Sequence, residues 1–175
     1  MQIDKRKINI LADKVRLALD MKTSPYDPEE AISKLGGSIE IKDINQDIDA
    51  ILLKSGNDSF KIHLNDKSSN RNRFTLAHEL GHLFLHMGFI IDREKWDAID
   101  SFEDSVYFRS DTYSLQEFEA NEFAASFLMP KEEFIEISED YLNNNKYDLG
   151  PIADHFQVSV KAVENRGKWF GIFEW

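Results

Sequence analysis

Phe74-Thr75-Leu76-Ala77-His78-Glu79-Leu80-Gly81-His82 sets two imidazoles four residues apart inside a helical pattern that runs from Arg73 to Met87. Four residues is about 400° of helical rotation, so both rings project from one face and can share one cation. Glu79 stands about 100° further round the helix than His78, where it can reach a water beside the cation without ligating the cation itself. Zinc suits this arrangement, and the His-Glu-x-x-His spacing recurs in zinc hydrolases for that reason. Glu79 is thus the candidate catalytic base, and His78 and His82 are the candidate metal ligands.

A catalytic zinc takes a third protein ligand and keeps one position open. A second helix, read from Ser114 to Met129, offers Glu117, Glu119 and Glu122. With Glu117 at zero, Asn121 falls near 40°, Ala124 near −20° and Leu128 near 20°. Glu119 and Glu122 fall on the far side, where a solvated helix face is expected. Ala120, Ala124 and Ala125 line or border the Glu117 face, and small side chains let two helices approach closely. Glu117 is therefore the expected third ligand, and Asn121 is placed to hydrogen-bond a ligand imidazole. His86, one turn beyond His82, is placed either near the substrate or simply at the helix C-terminus, where a cation is favoured, and the second reading is preferred. Tyr107, Tyr113, His63 and His155 could each stabilise an oxyanion, and nothing in the sequence ranks them.

Outward from these helices, Ile8, Leu11, Val15 and Ala18 predict an amphipathic N-terminal helix that covers the core. Asp27-Pro28-Glu29-Glu30 reads as a cap, a first-turn proline and two acids, with Gly36-Gly37 as the stop, so a short helix is expected over 28–35. Alternating residues at Ile39/Ile41, Ile51/Leu53 and Phe60/Ile62/Leu64, with hairpin chemistry at Gly56-Asn57-Asp58, predict a small, mostly antiparallel sheet. The Phe60–Leu64 strand, just before the active helix, is the expected edge for an added substrate strand. Residues 88–113 lack periodicity and are rich in acids, which suggests a solvated loop or lid. Asn143-Asn144-Asn145 reads as a turn, and Pro130 as a break or a new first turn.

The 175 residues suit one domain over 1–175, with 131–175 as a C-terminal helical extension, and the fold class is α+β. Without cysteine there are no disulfides and no thiolate ligands, so a metal must use His, Asp or Glu. A net charge of −11 disfavours nucleic acid and anionic membrane as partners. Neither a signal peptide nor a membrane span is read, so a cytoplasmic location is expected.

The two helices together resemble the ImmA/IrrE-type metallopeptidases of bacteria, phages and mobile elements. The likeness rests on Arg73 through His82 and on Glu117-Phe118-Glu119-Ala120-Asn121-Glu122-Phe123-Ala124-Ala125, followed by Leu128-Met129-Pro130. It extends more loosely from Asp27-Pro28 to Phe156-Gln157-Val158-Ser159. The resemblance implies a minimal zincin with a thermolysin-like core, a His-His-Glu zinc site and Glu79 as general base. It also supports Glu117 by its position four residues before Asn121. Relatives cleave DNA-bound repressors in stress, phage or transfer regulation, so a helix-turn-helix repressor is the expected protein substrate.

Residues 152–166 have the outline of a helix, a tight turn and a second helix, as in DNA readers. From 152 to 175, however, Asp154, Glu164 and Glu174 balance Lys161, Arg166 and Lys168, which is not the basic face such readers carry. Helical packing is the expected role. The leading reading is a zinc metalloendopeptidase. Its rivals are a non-catalytic zinc-containing regulator that binds a repressor or DNA through its C-terminal helices, and a toxin or antitoxin component that acts by sequestration.

Overall fold

The computed structural model describes residues 4–44, 49–65, 70–99 and 115–174. Helix α1 (Lys5–Ala18) begins where the Asp4 carboxylate accepts a hydrogen bond from the Arg6 amide at 2.9 Å. It buries Ile8, Ala12 and Val15 as an apolar seam, whereas Ala18 is exposed. Helix α2 (Pro28–Lys34) starts as expected, with Asp27 capping the Glu29 amide at 3.0 Å and Pro28 in the first turn. Gly36 ends it at φ 82°, a left-handed conformation that a side chain would strain.

Strands β1 (Ser38–Ile41), β2 (Ala50–Gly56) and β3 (Ser59–Leu64) form a sheet in the order β1-β3-β2. The tight turn between β2 and β3 makes that pair antiparallel, but β1 lies on the far side of β3 and runs parallel to it. The sheet is therefore mixed rather than mostly antiparallel. Alternation reports which face a side chain takes but not which strand lies beside it, and this is why the parallel pair escaped the sequence. The expected substrate edge must also be corrected, because β3 is the central strand and is paired on both sides.

Helix α3 (Asn70–Gly81) runs on without a break into a π-helical turn, His82–His86, closed by the Met87 amide on the His82 carbonyl at 2.9 Å. Residues 88–99 of the expected loop or lid are folded and not simply solvated. Asp92 caps α4 (Arg93–Asp97), and Trp96, only 1% exposed, stacks edge-on against Phe89. Residues 100–113 of the proposed lid, including Tyr107 and Tyr113, lie outside the described residues.

Helix α5 (Leu115–Leu128) is the backbone of the molecule, packed chiefly along α3 and α1. Arg16 of α1 donates to the Ser126 and Phe127 carbonyls at 2.7 and 3.0 Å, satisfying acceptors that a helix end leaves unpaired. Pro130 then occupies the cap of α6 (Lys131–Asp140). A short hairpin, β4 (Leu142–Asn143) and β5 (Lys146–Tyr147), turns at Asn144 and Asn145, both at positive φ, as the asparagine run foretold. Helices α7 (Leu149–Phe156) and α8 (Val160–Phe170) close the chain, and Phe134, Ile152, Phe156 and Val163 join the same buried cluster as α1, α3 and α5. The architecture is α+β. No helix among the described residues is long and apolar enough to cross a membrane.

Candidate metal centre

His78 comes from the last turn of α3, His82 opens the π turn, and Glu117 lies in the first turn of α5. The two imidazole Nε2 atoms are 3.0 Å apart. The Glu117 carboxylate closes the triangle, with Oε2 3.2 Å from His78 Nε2 and Oε1 3.1 Å from His82 Nε2. One atom from each of the three residues could hold a metal ion together. The helices come this close because Gly81 faces Ala120: a Cβ on Gly81 would stand 2.9 Å from the Ala120 Cα. The alanines pointed to this seam, but the glycine opposite them was not singled out.

The remaining ring nitrogens are also engaged. His78 Nδ1 lies 2.9 Å from the Asn121 Oδ1, the contact expected from helical spacing. His82 Nδ1 lies 2.9 Å from His86 Nδ1, and His86 Nε2 lies 3.1 Å from Glu119 Oε2. Hydrogen bonds from His78 and His82 hold the Glu117 carboxyl well below the ordinary carboxylate range. Burial pushes His78 downward, but Glu117, Glu79 and Asn121 outweigh it and leave the ring above its usual value. Glu79 is half-buried on α3, and its charge is one of those felt by His78.

Three sequence expectations need correction. Glu119 and Glu122 are not on a solvated face: they are 3% and 7% exposed. Glu122 pairs with Arg166 at 3.0 Å and accepts a hydrogen bond from Asn9 at 2.7 Å, while Glu119 meets His86. His86 does end the helical turn, but it is buried, and burial drives its pKa below the ordinary value, which does not suit a cation there. The available signal was the pattern of α5, whose polar and apolar residues alternate around the helix without a polar face to turn to water, so some of its acids must be enclosed. Of the other histidines, His63 is held by Lys42 and Glu40, and His155 by Glu133 and Ser24.

A sequence model of the IrrE N-terminal-like domain, of the M78 peptidases, matches residues 45–168. The chain belongs to this family. The match spans α3, α5 and most of the C-terminal helices. A solved structure of a Mycobacterium tuberculosis transcriptional regulator shares the fold, with a TM-score of 0.59 and 19% identity. That alignment covers 92% of this chain and 46% of the regulator, so the M78 chain described here spans less than half of the regulator's length. No curated protein matches.

Proposed function

We propose that this chain is a zinc-dependent metalloendopeptidase with a minimal zincin, thermolysin-like core, one domain whose residues 131–175 form a helical extension. The observation that carries the reading is the cluster of His78 Nε2 and His82 Nε2, 3.0 Å apart, with the Glu117 carboxylate, whose two oxygens stand 3.2 and 3.1 Å from the one ring and the other. Zinc bonds of about 2.0–2.1 Å in a tetrahedron put neighbouring ligand atoms about 3.3 Å apart, so the donor set fits the ion in size as well as in chemistry. Both ligand imidazoles use Nδ1 elsewhere, which leaves Nε2 for the metal.

When bound, zinc would polarise the substrate carbonyl and acidify an attacking water. Glu79 takes the proton from that water on a carboxylate oxygen and returns it to the leaving amine nitrogen, so water is added across the C–N bond. Glu117 neutralises one of the ion's charges, and Asn121 keeps the His78 ring in register. Buried walls around His82 limit water on one side, while the Glu117 side chain, 36% exposed, leaves the other side reachable.

The substrate is a specific cytoplasmic protein, most simply a helix-turn-helix repressor in stress, phage or mobile-element regulation. Family membership supports this, as does a fold shared with a protein described as a transcriptional regulator. That same description favours a second reading, a non-catalytic zinc-containing regulator. Against DNA contact through the C-terminal helices stand buried Arg166, paired with Glu122, and Lys161 and Lys168, both paired with Glu164. The test measures zinc content and repressor cleavage in the wild type, His82→Ala, Glu117→Ala and Glu79→Gln. One zinc per chain, lost in the first two variants, with cleavage lost but zinc kept in Glu79→Gln, supports the enzyme. A regulatory effect that survives Glu79→Gln selects the non-catalytic reading.

A further inference from the structure

The His82 ring is tied through a second imidazole to a buried carboxylate. In an α-helix, residues four apart are offset by about 40°. The wider π turn over His82–His86 changes that offset and sets the two rings beside each other at a tilt of 52°, with centroids 4.9 Å apart and Nδ1 atoms facing each other at 2.9 Å. The outer nitrogen of His86 meets Glu119 at 3.1 Å, with both side chains 4% exposed.

The proton order along this line follows from what each group can do. A carboxylate only accepts, so His86 carries its proton on Nε2. A neutral imidazole has one proton, so His86 Nδ1 is a bare acceptor, and the proton between the rings belongs to His82 Nδ1. Without metal, His82 Nε2 donates to Glu117 at 3.1 Å; a cation that enters between them displaces that proton, and with Nδ1 still protonated His82 Nε2 then offers a lone pair. A lone pair at that atom is what a cation beside His78 and Glu117 requires.

We propose that Glu119, acting through His86, is a positioning residue that fixes the proton of His82 on Nδ1 and aims its Nε2 lone pair at the space shared with His78 and Glu117. The proposal rests on the zinc reading for its purpose, but the proton on His86 can be located without the metal. The hydrogen bond from Nδ1 also makes His82 a more basic ligand, the usual effect of an outer carboxylate on a metal-bound imidazole.

Long-range proton–nitrogen spectra of the imidazoles, recorded on the full chain without metal and with zinc, read the order directly. The expected result is His86 protonated on Nε2 and bare at Nδ1 in both forms, with His82 protonated on Nδ1 in the zinc form. Glu119→Ala should weaken zinc affinity about 10–100-fold and release His86 to its other tautomer. Glu119→Gln, whose amide oxygen still accepts from His86, should recover most of the affinity. A wild-type His86 protonated on Nδ1 overturns the proposal, as does Glu119→Ala with unchanged tautomers and affinity. If Glu119→Ala does not fold, the wild-type spectra decide. Zinc binding with His86 protonated on Nδ1 keeps the metal and removes the relay; no zinc binding with His86 protonated on Nε2 removes the metal and keeps the proton order.

Discussion

Gly81 and Ala120 meet backbone to backbone: a Cβ added to Gly81 would lie 2.9 Å from the Ala120 Cα and 3.0 Å from its carbonyl oxygen. Replacing Gly81 by alanine gains about 1 kcal/mol of helix propensity. The clash is with main chain, however, and overpacking of this kind costs about 1–3 kcal/mol. Gly81→Ala should therefore lower the urea midpoint and, by widening the seam, weaken zinc binding. A midpoint and an affinity both equal to wild type would show that the seam yields easily.

Asn121 is exposed, yet its oxygen fixes His78 Nδ1 at 2.9 Å. Asn121→Leu should reduce zinc affinity about 10–100-fold in a chelator competition. Metal-free stability should stay within about 0.5 kcal/mol, as for surface substitutions in general. Asn121→Asp keeps an acceptor and should bind zinc better than the leucine variant; equal affinities in the two would remove Asn121 from the site.

Arg166 is 3% exposed and joins Glu122, Asn9 and the Met129 carbonyl. Arg166→Ala strands a buried carboxylate and should cost about 3–5 kcal/mol in denaturant unfolding. That is a large fraction of the roughly 5–15 kcal/mol typical of a folded domain. The double change Arg166→Met with Glu122→Leu should recover much of the loss. A double variant no more stable than Arg166→Ala would contradict this account.

Hydrogen bonds from Lys61 and Lys42 pull the Glu40 carboxyl down to about 2. A depressed folded pKa contributes stability above the unfolded value of about 4.3, and that contribution is lost as pH falls towards the folded value. Wild type and Glu40→Gln should thus differ in urea midpoint at pH 6, and the gap should narrow by pH 3. A gap that widens on acidification would reverse the sign.

The parts of the site that were legible in sequence depend on position along a single helix. His78 and His82 share a face by spacing alone, and Glu117 and Asn121 do the same on α5, because helical rotation fixes those angles whatever surrounds them. Helix caps at Asp27 and the turn at Asn144-Asn145 were equally local. What escaped depends on neighbours. Glu119 and Glu122 point away from the metal face, as their angles said, but that far side meets His86 and Arg166 instead of water. The parallel β1–β3 pair, the π turn and the burial of Arg16 arise from how elements meet, and no residue pattern within one element encodes them.

Helix α5 is gripped along α1 and α3, and cations from both ends of the sequence, Arg16 and Arg166, hold the carbonyls where it finishes. Its amides should belong to the slowest class in deuterium exchange, released only when the whole native state opens. Glu117 rides on the first turn of that helix, so its backbone is carried by the same packing while its side chain, 36% exposed, can turn. If the proposed site takes up an ion, rotation of the Glu117 side chain, and not movement of α5, is the route by which that ligand would let go.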